Sequence, residues 1–324
     1  IYTLSLHDAL PISSLFRMPI TYKTLLECFV LGQCAPSMLS YTLMTNPLPK
    51  LVTFDGDARS GKGTIVSLVK DYVRDELSLP VMLIDAGQVF RVLVVMMQEY
   101  GIDLDDPIAI DTFLADKHNE DACVRRVKFV YHLPRADRDA LLYTPKISAN
   151  SVKIGARPRS QAFKDALLRK WLRDAREEGV EIVLLDGRAL GEVGEELARA
   201  GLCEHVLDLF FVCDPVVSAQ RTLGMMPRPY AELNADERAR VDDQVAQITA
   251  RNHADRTRSV QPVVPPAGAL TYSVGELPTI LPLRYPCPAA IIDRSIELPR
   301  ETMALPVIRL VETYCLPPAS DDSK

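Results

Sequence analysis

The stretch LVTFDGDARSGKGTIVSLVK, residues 51–70, decides the fold. Its apolar start, extending back to Lys50, reads as a short strand, and TIVSLVKDYVRDEL (64–77) carries apolar residues at 65, 66, 68, 69 and 73 on one helical face. Between strand and helix, Gly56 and Gly61–Lys62 stand in the spacing Gly-x4-Gly-Lys. Glycines there let the backbone curl so that successive N–H groups face phosphate oxygens, and the following helix adds the positive end of its dipole. Gly56, Asp57, Ala58, Arg59, Ser60, Gly61, Lys62, Gly63 and Thr64 are therefore expected to cradle a nucleotide's phosphates, with Lys62 as a point charge on the terminal ones.

Outward from this loop, β and α patterns alternate. LPVMLIDAG (79–87), VEIVLLDGR (180–188) and HVLDLFFVCD (205–214) are near-continuous apolar runs of the kind covered on both faces in a parallel sheet. Helical stretches separate them, notably QAFKDALLRKWLRDAREEG (161–179), with Gly179 as C-cap. The expected fold is α/β, a doubly wound parallel sheet around a phosphate-binding loop. Residues 222–258 read as two charged helices able to move over a site, with the lid about 222–250. The segment 262–288, carrying seven prolines, reads as irregular connection, AAIID (289–293) as a last strand, and 300–314 as a helix offset by Pro306. RRVKFVYHLPRADR (125–138), basic with aromatics, is expected to form strand structure in a small substrate-side insert (about 103–160) rather than an RNA patch.

Composition limits what such a fold can serve. The 324 residues carry a net charge of −6, which argues against an extensive nucleic-acid surface while leaving room for a locally basic cleft. Seven scattered cysteines without CxxC pairing, and five dispersed histidines, suggest neither a disulfide framework nor a zinc site. No run of 18 apolar residues is present, so a cytoplasmic protein without membrane attachment is expected. YTLSLHDALPIS (2–13) resembles translated sequencing adapter; residues 1–43 are read as a non-native or untranslated extension, the alternative being a genuine anchor or targeting helix over 14–43, with Met44 as the start, 44–315 as the domain and 316–324 as a flexible tail.

Four motifs in chain order resemble the cytidylate (CMP/dCMP) kinase family across roughly residues 51–315. Gly-Lys-Gly-Thr at 61–64 is the form of the loop used by nucleoside monophosphate kinases. LIDAGQVFRVL looks like that family's acceptor segment after the second strand, LLDGRALG like its Asp-Gly-Arg loop, and RNHADRTRSVQPVVPPAGA like its Arg-x3-Asp-x2-Arg run with a proline-rich sequel. The resemblance implies a kinase fold with a substrate-side insert and a mobile helical lid, ATP as donor, Mg²⁺, and a nucleoside monophosphate acceptor handled by a monomer.

On that resemblance the site residues follow. Arg91, beside the turn allowed by Gly87, would hold the acceptor phosphate, the alternative being a solvated helix arginine. Asp186 and Thr64 would serve the metal, and Arg188 would clamp the transferring group, the alternative being a buried structural ion pair. Arg251, Asp255 and Arg258, at i, i+4 and i+7 of one helical face, would converge on the ligand, the alternative being a surface salt-bridge ladder. Arg221 would reach the phosphates from the closing segment and join Lys62, Asp186 and Arg188 as catalytic.

Departures from the family bear on the base. Ala86 replaces a serine of the acceptor loop, Ala189 the aspartate after the third-strand arginine, Lys164 an arginine, and Gly155 a serine. The last three belong to the family's cytosine-reading set, so base discrimination is expected to be relaxed or redirected. Two alternatives to a CMP kinase remain open at this point: a monophosphate kinase of altered base specificity, and a non-catalytic ATP-binding regulator.

Overall fold

A computed structural model describes residues 46–284 and 286–317; the extension 1–43, Met44 and all but two residues of the tail fall outside them. The chain divides into two units, Ile1–Thr45 and Asn46–Lys324, and the described residues belong to the second.

Six strands make one sheet: β1 Lys50–Gly56, β2 Val81–Asp85, β3 Ile182–Asp186, β4 Glu204–Val212, β5 Leu270–Ser273 and β6 Ala289–Asp293, in the spatial order β2-β3-β1-β4-β6-β5. Every pairing is parallel. The β-branched and aromatic residues of β1 alternate between two buried faces, as a central strand requires. Val52 and Phe54 meet α1 (Lys62–Asp75) and α11 (Arg300–Cys315) through Ile65, Val69, Val307 and Leu310. Leu51 meets the opposite layer, α7 (Pro158–Glu177) and α8 (Leu190–Arg199), through Leu168, Leu172, Leu190 and Val193. The doubly wound sheet expected from the apolar runs is the one observed.

The substrate-side insert differs. In place of strands it is a set of helices, α3 Pro107–Ala115, α4 Lys117–Tyr131, α5 Arg135–Leu142 and α6 Pro145–Gly155, packed on α2 (Ala86–Glu99). The reason lies in spacing: Cys123, Val127 and Val130 recur at i, i+4 and i+7 and bury one helical stripe against Val92, Leu93 and Met97. Asp106 and Asp116 cap the starts of α3 and α4.

The region read as two charged helices resolves into the end of α9 (Pro215–Thr222), a 3₁₀ turn at Tyr230–Glu232 and one long helix, α10 (Ala235–Thr257). Asn234 and Glu237 form a reciprocal capping box that starts α10 cleanly, so the charged run continues without interruption. Ala219, Met225, Leu233, Val241 and Ile248 give this pair a small core of its own. The proline-rich segment contains β5, which pairs only with β6, and Pro306 sits inside α11 without ending it. Among the described residues no helix is long and apolar enough to cross a membrane.

Candidate active site

The order β3-β1-β4 puts the point where the chain reverses its winding direction at the carboxyl end of β1, and open α/β sheets bind ligands in that crevice. Three adjacent strands end there in aspartate: Asp55, Asp85 and Asp186, with Asp85 and Asp186 directly paired across β2 and β3. The loop after β1 turns on Gly56, at φ +139, where a Cβ would lie 2.1 Å from the Phe211 carbonyl oxygen. Asp55 is buried and accepts hydrogen bonds from the Gly56 and Leu190 amides, at 2.6 and 2.7 Å, so one carboxylate fixes both the loop and the start of α8. Burial pushes that carboxyl up, with Lys62 pulling it back.

Lys62 folds onto the strand ends, donating to the Phe54 carbonyl at 2.9 Å and to the Gly187 carbonyl, and pairing with Asp186 at 2.6 Å. Asp186 and Arg188 each enter a largely buried ion pair, as the alternative reading expected, though not with each other. Arg188 instead reaches Asp255, whose carboxylate also lies 3.8 Å from Arg251 and 3.8 Å from Arg258. Asp255 is 4% exposed, which removes the reading of these residues as a surface ladder. Their arrangement is not one helical face, however: α10 ends at Thr257, and Arg258 leaves it in extended conformation before its Nε donates to the Gln261 carbonyl. Burial, reinforced by Arg251, pushes the Arg188 guanidinium down to about 9, and Arg251 falls to about 10 through burial and the charges of Arg91 and Arg59.

These groups surround a cleft of about 1020 Å³ that runs from the loop to the helical insert. Asp57 and Arg59 through Thr64 line it, as do Gly87, Arg91, Lys164, Asp186, Arg188, Arg251, Asp255 and Arg258; Gly56 and Ala58 shape the loop from behind. Ten Lys or Arg side chains face six Asp side chains across the cleft, a local excess of positive charge in a chain of net −6.

A phosphate-binding loop facing a cluster of arginines at the switch point of a parallel sheet is the setting in which the sequence comparison falls. The family model described as cytidylate kinase matches residues 52–278. The chain belongs to the cytidylate kinase family. It is 26% identical to the cytidylate kinase of Colwellia psychrerythraea over 68% of this chain and 87% of that enzyme. Against the cytidylate kinase of Shewanella pealeana it is 26% identical, over 68% of this chain and 85% of the relative. It is thus a phosphotransferase, and its family and fold make it a nucleoside monophosphate kinase.

One residue expected in the cleft is elsewhere. Arg221 is not in the cleft: its guanidinium donates to the carbonyls of Arg294, at 2.7 Å, and Ile296, and pairs with Glu297 at 2.7 Å. Lys164 lines the cleft but is 1% exposed and already bound to Gln261 at 2.8 Å and Asp165 at 3.0 Å. Burial lowers its ammonium pKa. A Cβ on Gly155 would stand 3.6 Å from the Phe90 ring, an ordinary van der Waals contact.

Several cleft residues escaped the sequence reading. Asp85 caps α2 through the Gln88 amide and accepts the Tyr143 hydroxyl at 2.9 Å, while Arg91 lies over the Tyr143 ring at 4.5 Å. Tyr131 donates to the Asp85 carbonyl at 2.7 Å. The signal for Asp85 was present, since FDG, IDAG and LDGR repeat one strand-end pattern; Tyr131 and Tyr143 come from the helical insert and carry no motif. Asn252 of α10 accepts the Ala58 amide at 2.8 Å, and Arg256 pairs with Asp57 at 2.6 Å, so α10 is tied to the loop.

For the metal, the donor chemistry fits a hard cation. Asp186 and Thr64 both line the cleft, and a Cβ on Gly63 would lie 3.9 Å from Asp186 Oδ2, so the carboxylate faces the loop. Magnesium held by one or two protein oxygens together with substrate phosphates needs no larger cluster, and among the described residues no group of three or more His, Cys, Asp or Glu assembles one.

Proposed function

We propose that this kinase transfers the γ-phosphate of ATP to CMP or dCMP, with Mg²⁺ held by Thr64 and Asp186. The observation that carries the reading is the convergence of Arg188, Arg251 and Arg258 on Asp255 opposite the Gly61–Thr64 loop. Phosphoryl transfer asks little covalent chemistry of the protein; in-line positioning and neutralisation of the phosphates supply the rate. Lys62 leaves its strand-end carbonyls for the donor's terminal phosphates, Arg91 holds the acceptor phosphate, and Arg188 with Arg251 and Arg258 spans the group in transit. Thr64 and Asp186 would hold the magnesium ion, which would supply charge neutralisation at the donor phosphates. Gly87 and Lys164 border the acceptor, and closure of the lid, about 222–250, would exclude water.

Weak base discrimination accompanies this reading. Lys164 is committed to Gln261 and Asp165, and neither Ala189 nor Gly155 carries a polar side chain, so the family's cytosine contacts have no replacement at those positions. ADP production across CMP, dCMP, UMP, dTMP, AMP and GMP, with Lys62→Ala as control, tests the function. Turnover on CMP or dCMP that K62A abolishes supports it. ATP binding without turnover on any acceptor would turn the reading toward a regulator.

A further inference from the structure

Arg294, just past β6, is the most deeply buried guanidinium near the loop that the cleft does not use: it is 3% exposed and absent from the cleft wall. Its Nη1 donates to the Ser60 carbonyl at 3.0 Å, its Nη2 lies 3.2 Å from the Met303 sulfur, and its Nε has no hydrogen-bond partner. The guanidinium lies against the outer side of Gly61, where a Cβ would fall 2.2 Å from Nη1. Its backbone is fixed by the Arg294 amide donating to Val212 at 2.9 Å. Arg221, expected in the cleft, donates to the carbonyls of Arg294 and Ile296 and pairs with Glu297, so it braces the same short segment.

A phosphate-binding loop works only while its N–H groups face the cleft, which turns carbonyls the other way into protein. A buried carbonyl without a donor is costly, so the group behind the loop decides whether this conformation is held in advance of the ligand. We propose that Arg294 is a positioning residue for the donor phosphates, holding the Ser60 carbonyl and backing Gly61 from outside the cleft, and that Arg221 acts through it by bracing residues 294–297. The claim rests on the reading of the loop as the donor site. It converts Arg221 from a phosphate ligand into the second member of a strut that starts more than 70 residues away in sequence. A positive group behind the loop also adds to the potential the phosphates meet. Burial, with Arg221 beside it, lowers the Arg294 guanidinium to about 10, which leaves it charged at neutral pH.

The test is calorimetric binding of MgATP, of CMP and of inorganic tripolyphosphate to the wild type, R294Q, R294K, R221Q and R221Q/R294Q, with melting temperatures alongside. R294Q should weaken ATP and tripolyphosphate about tenfold, the loss of one charge-assisted hydrogen bond, while CMP affinity changes less than about twofold. R294K should recover part of that loss, and R221Q should weaken the same two ligands about threefold. The double variant should bind them no more weakly than R294Q. If R294Q does not fold, R221Q against R294K decides the same question. Unchanged polyphosphate affinity in R294Q and R221Q, or losses that add fully in the double variant, overturns the strut. A wild type that binds tripolyphosphate but not ATP removes the donor reading while the variants still decide the strut on tripolyphosphate; binding of neither overturns both.

Discussion

Asp255→Asn removes one negative charge from beneath three guanidiniums. The carboxylate is 5% exposed in its side chain, Arg188 20% and Arg258 15%, so all three are shielded enough for the pairing to matter. Breaking a buried ion pair by deleting one partner costs about 3–5 kcal/mol, because the remaining charge stays buried unpaired. Here Arg188, Arg251 and Arg258 would be left facing one another, so the upper part of that range applies. With about 2–3 °C of melting temperature per kcal/mol for a domain of this size, the ligand-free variant should melt roughly 8–15 °C lower. A phosphate brings its own negative charge to the same arginines. Nucleotide should therefore stabilise D255N more than the wild type, returning part of the loss. Kinetically, the variant lacks the carboxylate that competes with substrate for these arginines, so the monophosphate KM should hold or fall while kcat drops about a hundredfold as their orientation relaxes. Thermal unfolding with and without saturating CMP and ATP, together with steady-state kinetics, reads all of this. A melting point within 1 °C of wild type, or an equal ligand-induced shift in the two proteins, would refute the argument that Asp255 stands in for a phosphate.

The remaining expectations concern the acceptor, the base, the loop and a polar pair under the sheet. Tyr143→Ala takes away the ring beneath Arg91 and should raise the monophosphate KM about tenfold with the ATP KM unchanged, whereas Tyr143→Phe keeps the ring and should cost less than about threefold. The ratio of kcat/KM for CMP or dCMP over UMP and AMP should stay below a few hundred, since the polar contacts that would enforce a larger ratio are replaced at 155, 164 and 189; a larger ratio in steady-state competition would count decisively against this. Lys62→Ala should abolish turnover with the fold retained by circular dichroism, the lost bonds to Phe54 and Gly187 lying at one rim of the sheet. Under β1, Thr53 lies 2.7 Å from Asp208 and 3.0 Å from His205. Burial raises Asp208 to about 7, so between its unfolded value of 3.8 and 7 the folded state holds an extra proton and stability is lost as pH rises. Burial lowers His205 to about 4, so between 4 and its unfolded 6.5 the folded state holds one proton fewer and stability is gained as pH rises. The two slopes oppose each other in the wild type. Urea unfolding from pH 4 to 7 should therefore show stability rising with pH in Asp208→Asn and falling in His205→Gln; slopes of the same sign in both variants would refute the pairing.

How much was legible depended on the range of the interaction that fixed each element. The loop, β1 through β4 and β6 are written locally, in apolar runs that end at aspartate or glycine. β5 was not, because LTYS is a four-residue edge strand with two exposed positions in a proline-rich segment, and its pairing comes from β6 alone. In the insert, VKFVY carries the β-branched and aromatic residues of a strand, but burial of Cys123, Val127 and Val130 on α2 outweighs propensity; counting the period rather than the composition would have found it. Arg91, Arg188, Arg251, Asp255 and Arg258 were identified by residue type in a recognisable order, and the structure brings them together in one cleft. Arg221 was misplaced for a different reason: its partners are carbonyls at 294 and 296, and nothing within its own helix signals them.

The site's charge pattern has one logic throughout. Three cations of the cleft already have partners in the fold, Lys62 in Asp186 and two carbonyls, Arg188 in Asp255, and Arg91 in the face of Tyr143, and on the proposed function phosphate displaces these partners. A cleft with ten basic side chains would otherwise repel itself, and burial already lowers Arg188, Arg251 and Arg258. Asp85, Asp186 and Asp255 relieve that strain without neutralising the cleft, because six carboxylates face ten cations. On the proposed function, the excess of positive charge draws two phosphorylated ligands into one crevice, and the placeholders set how much of that attraction is spent before they arrive. Arg294 stands apart from this exchange: its carbonyl partner is not displaced by substrate, which is why its effect should fall on donor affinity through loop geometry rather than through competition.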